Sequence, residues 1–133
     1  MFLKFFNLEI GMNLKRQIVY WLPVYIYMGG IFYFSSLSYI SISVGLTSIG
    51  LSDIFQHALE YSFLGFLLAR GFNNSKFKKK FLILSIVLAG FYGISDEIHQ
   101  FFVSGRIFSL LDIITDFTGG ILGVIIYKII QKF

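Results

Sequence analysis

Four stretches of the chain, residues 18–34, 54–69, 81–102 and 110–127, are predominantly apolar. Each approaches the ~17–25 residues that a helix needs to cross roughly 30 Å of hydrocarbon. Basic residues mark their ends: Lys15 and Arg16 before the first, Arg70 with Lys76, Lys78, Lys79 and Lys80 after the second, and Lys128 with Lys132 closing the fourth. The pattern predicts helices over about residues 18–35, 53–70, 81–102 and 109–130. Together they make an all-α, polytopic membrane protein: a four-transmembrane-helix bundle in a single domain. Basic loops stay on the cytoplasmic side, which predicts an N-in/C-in topology. The first loop has no Lys or Arg and the third has only Arg106, so both are expected outside. The second stretch is the shortest, and it carries His57 and Glu60.

Local signals refine these elements. Pro23 falls in the second turn of the expected first helix, where a missing amide hydrogen matters less than it does mid-helix. Trp21, Tyr20 and Tyr25 suit a membrane interface. Ser52 or Asp53 is the expected N-cap of the second helix, because a short polar side chain there satisfies an orphan amide. Ser104-Gly105 predicts a turn. Gly119, Gly120 and Gly123 give the fourth helix a smooth face for close approach by a neighbour.

Composition supports the bilayer as solvent. Of 133 residues, 56% are apolar and 14% charged, too few charges for an ordinary soluble domain. The net charge of +4 reads as topology rather than nucleic-acid binding, since the basic residues flank apolar spans instead of forming a stripe with exposed aromatics. With no cysteine, disulfides and thiolate chemistry are excluded. Residues 1–17 have only a brief apolar run and no small-residue cleavage site, which argues against a cleaved leader. The expected location is the cytoplasmic membrane, as a multi-pass protein with lipids as its immediate partners.

Six of the seven carboxylates gather near the expected outer ends of the helices. The densest piece is Asp96-Glu97-Ile98-His99-Gln100, closing an apolar run, and polar groups there are costly unless they face one another, water or a ligand. Asp53, His57, Glu60 and Tyr61 follow i, i+4, i+7, i+8 spacing, one helical stripe. Tyr92, Asp96, His99 and Gln100 form another, with Glu97 turned about 100° away. Asp112 and Asp116 are four apart. Arg106 can hang over the same space, so the picture is an outward-opening acidic pocket beneath an arginine.

Carboxylates beside histidines suit general acid–base work, and an arginine's planar fork holds phosphate or carboxylate. Asp96 and His99 are therefore the candidate acid/base or polar-binding pair, with Glu97 and Gln100 supporting them. Arg106 is the candidate anion anchor, and Asp53, His57, Asp112 and Asp116 complete the substrate-binding pocket. No organic cofactor is expected. A divalent metal is the alternative, with Asp96/His99 and Asp53/His57 as oxygen and nitrogen ligands. Whether the pocket catalyses or only binds stays open, as do two rivals: a proton-coupled carrier or flippase, and a non-catalytic scaffold subunit docking through the glycine face. A second copy of the chain is among the partners these readings admit.

The chain resembles the VanZ-like family of small integral membrane proteins over nearly its whole length. The resemblance rests on Trp21, Pro23, Phe34-Ser35-Ser36, Asp53, His57, Tyr61, Leu64 and Gly65. It is most specific in Tyr92-Gly93-Ile94-Ser95-Asp96-Glu97-Ile98-His99-Gln100, then Phe102-Val103-Ser104-Gly105-Arg106, Asp112, Asp116, Gly119 and Gly123. Two positions depart from the usual pattern: Ser104 stands where proline is usual, and Asp116 where asparagine is common. The resemblance implies an association with resistance to teicoplanin, a lipid-tailed glycopeptide that acts outside the membrane on cell-wall precursors. The expected ligand is accordingly an envelope lipid, a lipid-linked precursor or such a glycopeptide at the outer leaflet.

Overall fold

The structure, a computed structural model, describes residues 2–37 and 51–133, with side chains given for 14–37 and 54–133. Among the described residues there are four α-helices and no strand: α1 (Phe2–Ser35), α2 (Leu51–Asn73), α3 (Phe81–Phe101) and α4 (Leu110–Ile130), with a 3-10 turn, Lys78–Lys80, leading into α3. Three segments are long and apolar enough to cross a membrane: Leu14–Ser35, Lys78–Phe101 and Leu110–Ile130. The expectation that all four helices would qualify is corrected, because α2 does not. Gln56, His57, Glu60 and Arg70 dilute its apolar character.

What α2 lacks in hydropathy it has in enclosure. It packs against α4, α3 and α1, and Tyr61, Leu64, Leu67, Leu68 and Ala69 are buried. The other helices turn Tyr25, Ile26, Phe91, Leu110 and many other apolar side chains outward, whereas α2 exposes one narrower apolar stripe, Phe55, Leu59 and Phe63. A helix flanked by protein can keep polar groups on its inner faces, where partners are available and lipid is not.

Glycine sets the closest approach. A Cβ on Gly119 would lie 2.6 Å from the Ala58 carbonyl oxygen, one on Gly123 would run into the Ser62 carbonyl, and one on Gly65 into the Gly120 carbonyl. The smooth face expected on the fourth helix is thus covered within the same chain, by α2 at Gly119 and Gly123 and by Ala89 of α3 at Gly120.

The first helix starts earlier than expected, at Phe2 rather than near Ile18. Residues 2–17 contain no proline to break it. Pro23 therefore sits in the interior of a 34-residue helix. Proline cannot donate to the carbonyl four residues back, and that carbonyl, Val19 O, receives Arg70 Nη1 at 3.5 Å. The Arg70 guanidinium also lies over the Tyr20 ring, 4.8 Å from its centroid. Ser52 and Asp53 are helical residues of α2 (Leu51–Asn73), not the residue before it that the N-cap expectation needs.

The two ends of the bundle differ in chemistry. At one end Trp21 packs edge-on against Phe72 (4.9 Å) and Asn73 donates to Tyr127 Oη (3.0 Å), beside the lysines of residues 76–80. At the other end lie Ser36, His57, residues 96–100 and Arg106.

Candidate functional site

Between α1, α2, α3 and the 102–109 turn, the second end holds a cavity of about 410 Å³. Its polar wall is Gln56, His57, Glu60, Asp96, Gln100 and Arg106, and its apolar wall includes Ile31, Phe34 and Leu37. Helical spacing supplies the polar stripe: Gln56 and Glu60 are four apart on α2, as are Asp96 and Gln100 on α3. Gln100 Nε2 donates to Asp96 Oδ2 at 3.0 Å, while Asp96 Oδ1 is buried with no partner among the described residues. Arg106 Nε donates to the Leu37 carbonyl at 3.4 Å. Among the described residues no carboxylate lies within ion-pair distance of its guanidinium.

The chain-adjacent cluster does not act as one unit, because successive helical residues point about 100° apart. Asp96 and Gln100 face the cavity. His99 turns toward the end of α1, where it stacks on Phe32 (centroids 4.2 Å apart) and shares a 2.9 Å hydrogen bond between its Nε2 and Ser36 Oγ. The Ser36 hydroxyl proton is already committed to Phe32 O at 2.6 Å, so His99 is the donor in that bond. The expected Asp96–His99 pair is therefore not assembled. His99 ties α1 to α3.

Glu97 takes a third direction and is fully buried. Its Oε2 accepts the backbone N–H of Ser109 at 3.0 Å. Ser109 is the N-cap of α4, and its own hydroxyl accepts from Asp112 N at 3.2 Å. The Ser-x-x-Asp spacing of a capping arrangement was the signal that could have singled out Ser109. Asp112 is half-buried in the first turn of α4, where a carboxylate favours the helix dipole, and it does not line the cavity.

Asp116, two turns into α4, is also fully buried. His57 Nδ1 donates to Asp116 Oδ1 at 2.8 Å, an ion pair when the imidazole is protonated. Of the nine residues expected to form the site, His57, Asp96, Gln100 and Arg106 share the cavity, Glu97 and Asp116 meet behind His57, and His99 and Asp112 serve helix ends. The side chain of Asp53 lies outside the described residues. Glu60, on the expected stripe with His57, joins the cavity, and so does Gln56, which the sequence reading missed although its i, i+4 spacing from Glu60 was a signal for it.

Fold and site define a small all-helical membrane protein with a polar cavity at one end of its bundle. The chain belongs to the VanZ/LLP1 family, whose model matches residues 3–131. No curated protein and no solved structure matches it.

Proposed function

We propose that this protein spans the cytoplasmic membrane four times, N-in/C-in, with α2 as the enclosed fourth span, and that its outward-facing cavity binds the polar head of an envelope lipid. A lipid-linked cell-wall precursor or a lipid-tailed glycopeptide of the teicoplanin kind presents the same chemistry. The observation that carries this reading is the cavity's division into two walls. Ile31, Phe34 and Leu37 suit the root of an acyl chain, Arg106 suits the anionic group of a head, and Gln100, Asp96 and Glu60 suit its hydroxyl or amine donors. Arg106, without a carboxylate partner among the described residues, is the anion anchor.

Binding is favoured over acid–base turnover, because His99 is engaged with Ser36 and Phe32 rather than with Asp96. A carrier needs polar groups along the membrane depth. No Asp, Glu or His occurs in residues 61–95 or 117–133, which favours a one-sided site. Family membership supports the link to glycopeptide resistance.

In a teicoplanin-susceptible host expressing the chain, Asp96→Asn and Arg106→Ala should each return susceptibility to that of empty-vector cells, with protein levels in the membrane unchanged. Wild-type resistance in both variants refutes the cavity as the site. Topology has a separate check, made clean by the absence of native cysteine. In intact cells a membrane-impermeant maleimide should label Ser104→Cys and spare Ser75→Cys. The reverse pattern would turn the cavity toward the cytosol and end the proposal.

A further inference from the structure

Behind the cavity wall lies a second constellation that headgroup binding does not use. Glu97 of α3 and Asp116 of α4 are both 0% exposed, and His57 of α2 is 6% exposed. One donor atom from each of the three lies within 4.8 Å of the others. Hydrogen bonding leaves acceptors over: Glu97 Oε1 and Asp116 Oδ2 are buried with no partner among the described residues. A buried carboxylate oxygen without a donor is costly. Two such oxygens, on carboxylates that approach each other and His57 from different helices, point to a positively charged ligand in the cluster.

Charge decides what kind. Ionised Glu97 and Asp116 bring two negative charges, and a protonated His57 would cancel only one. A divalent cation bound to the neutral imidazole cancels both. The donors are one nitrogen and two carboxylates, with no sulfur in the chain, and a mixed imidazole–carboxylate set suits first-row metals better than calcium or magnesium.

We propose that His57, Glu97 and Asp116 form a binding site for one first-row divalent cation such as zinc, manganese or iron. Ligand atoms about 2.1 Å from one ion stand roughly 3–4 Å apart, so the three side chains close on an ion with shifts of about an ångström. The hydrogen bond from His57 Nδ1 to Asp116 is the contact the ion replaces or supports. Glu97 is already oriented by the Ser109 amide on its other oxygen, as metal-ligating carboxylates commonly are. Gly93 leaves the carboxylate room: a Cβ there would lie 2.9 Å from Asp116 Cβ and 3.1 Å from Oδ2. With three protein donors, further coordination positions fall to water or ligand. Because His57 also lines the cavity, the cavity is the route by which the ion enters and by which a bound headgroup could reach it.

The test is elemental analysis of the full chain purified in mild detergent without chelator, followed by stripping and titration with Co²⁺ alone. Wild type should carry about one equivalent of a first-row metal, and Co²⁺ should restore it with a visible d–d absorption band. Glu97→Gln and Asp116→Asn should each lower Co²⁺ affinity by about tenfold or more. Asp96→Asn, which alters the cavity but not the three donors, should bind Co²⁺ as wild type does. The proposal is overturned if helical, monodisperse wild type holds no metal and gives no band. It is equally overturned if both donor variants bind Co²⁺ unchanged; in that case protons, not a metal, neutralise the cluster. Because metal is read directly, failure here leaves the headgroup proposal standing, and loss of teicoplanin resistance does not bear on it.

Discussion

Gly123→Leu should leave no folded protein in the membrane. A Cβ at this position runs into the Ser62 carbonyl and would also lie 2.8 Å from Phe66 N. Both obstacles are backbone, so no rotamer change relieves them and α2 and α4 must move apart. Overpacking commonly costs about 1–3 kcal/mol when side chains can yield. Here separation would also loosen Gly65 from Gly120 and Gly119 from Ala58, which belong to the same contact. Gly29 is the control. Nothing lies within 4 Å of a Cβ placed there, and Gly29→Ala should be neutral or stabilise the helix by about 0.5–1 kcal/mol. Membrane accumulation and a monodisperse elution profile in detergent distinguish the two. A Gly123→Leu protein that accumulates and elutes like wild type would mean that α2 and α4 do not meet as described.

The second large effect is expected at Asp116. Asp116→Ala should destabilise the protein by about 3–5 kcal/mol, the range for removing one member of a buried charged pair. The hydrogen bond alone does not account for this, since polar contacts between membrane helices average only about 0.6 kcal/mol. The larger part is what remains behind: His57, itself 6% exposed, loses its Asp116 acceptor, and Glu97 keeps its orphan oxygen. Asp116→Asn should cost about 1–2 kcal/mol, because the amide oxygen can still accept from His57 Nδ1. Thermal unfolding in detergent, compared across the two variants, measures the difference. Equal stability of Asp116→Ala and Asp116→Asn would mean that His57 does not depend on this side chain.

The polar stripes were legible where helical spacing alone places residues together. Asp96 with Gln100, and His57 with Glu60, do share the cavity, and Arg106 does hang over it from the 102–109 turn. Adjacency in sequence misled where it crossed the helical period. Glu97 lies about 100° from Asp96 and meets the start of α4, while His99, only about 60° from Asp96 on the same stripe, falls on the other side of the stripe's edge and meets α1. The glycines of α4 announced a close neighbour correctly, but nothing local named α2 as that neighbour. Hydropathy sets α2 apart from the other three helices, but it weighs a residue's own solvation and so gave no sign of the protein that surrounds α2.

By itself, then, the sequence determined the helical elements, the apolar character of three of them, the basic and acidic ends, and the family. These follow from local periodicity and from transfer of side chains out of water, properties each segment carries wherever it packs. Only the tertiary structure decided which ionisable groups meet: His57 with Asp116, Glu97 with the start of α4, and His99 with Ser36. Such pairings depend on helix rotation and on the neighbour each face selects, and both are set by long-range contacts such as the glycine seam between α2 and α4.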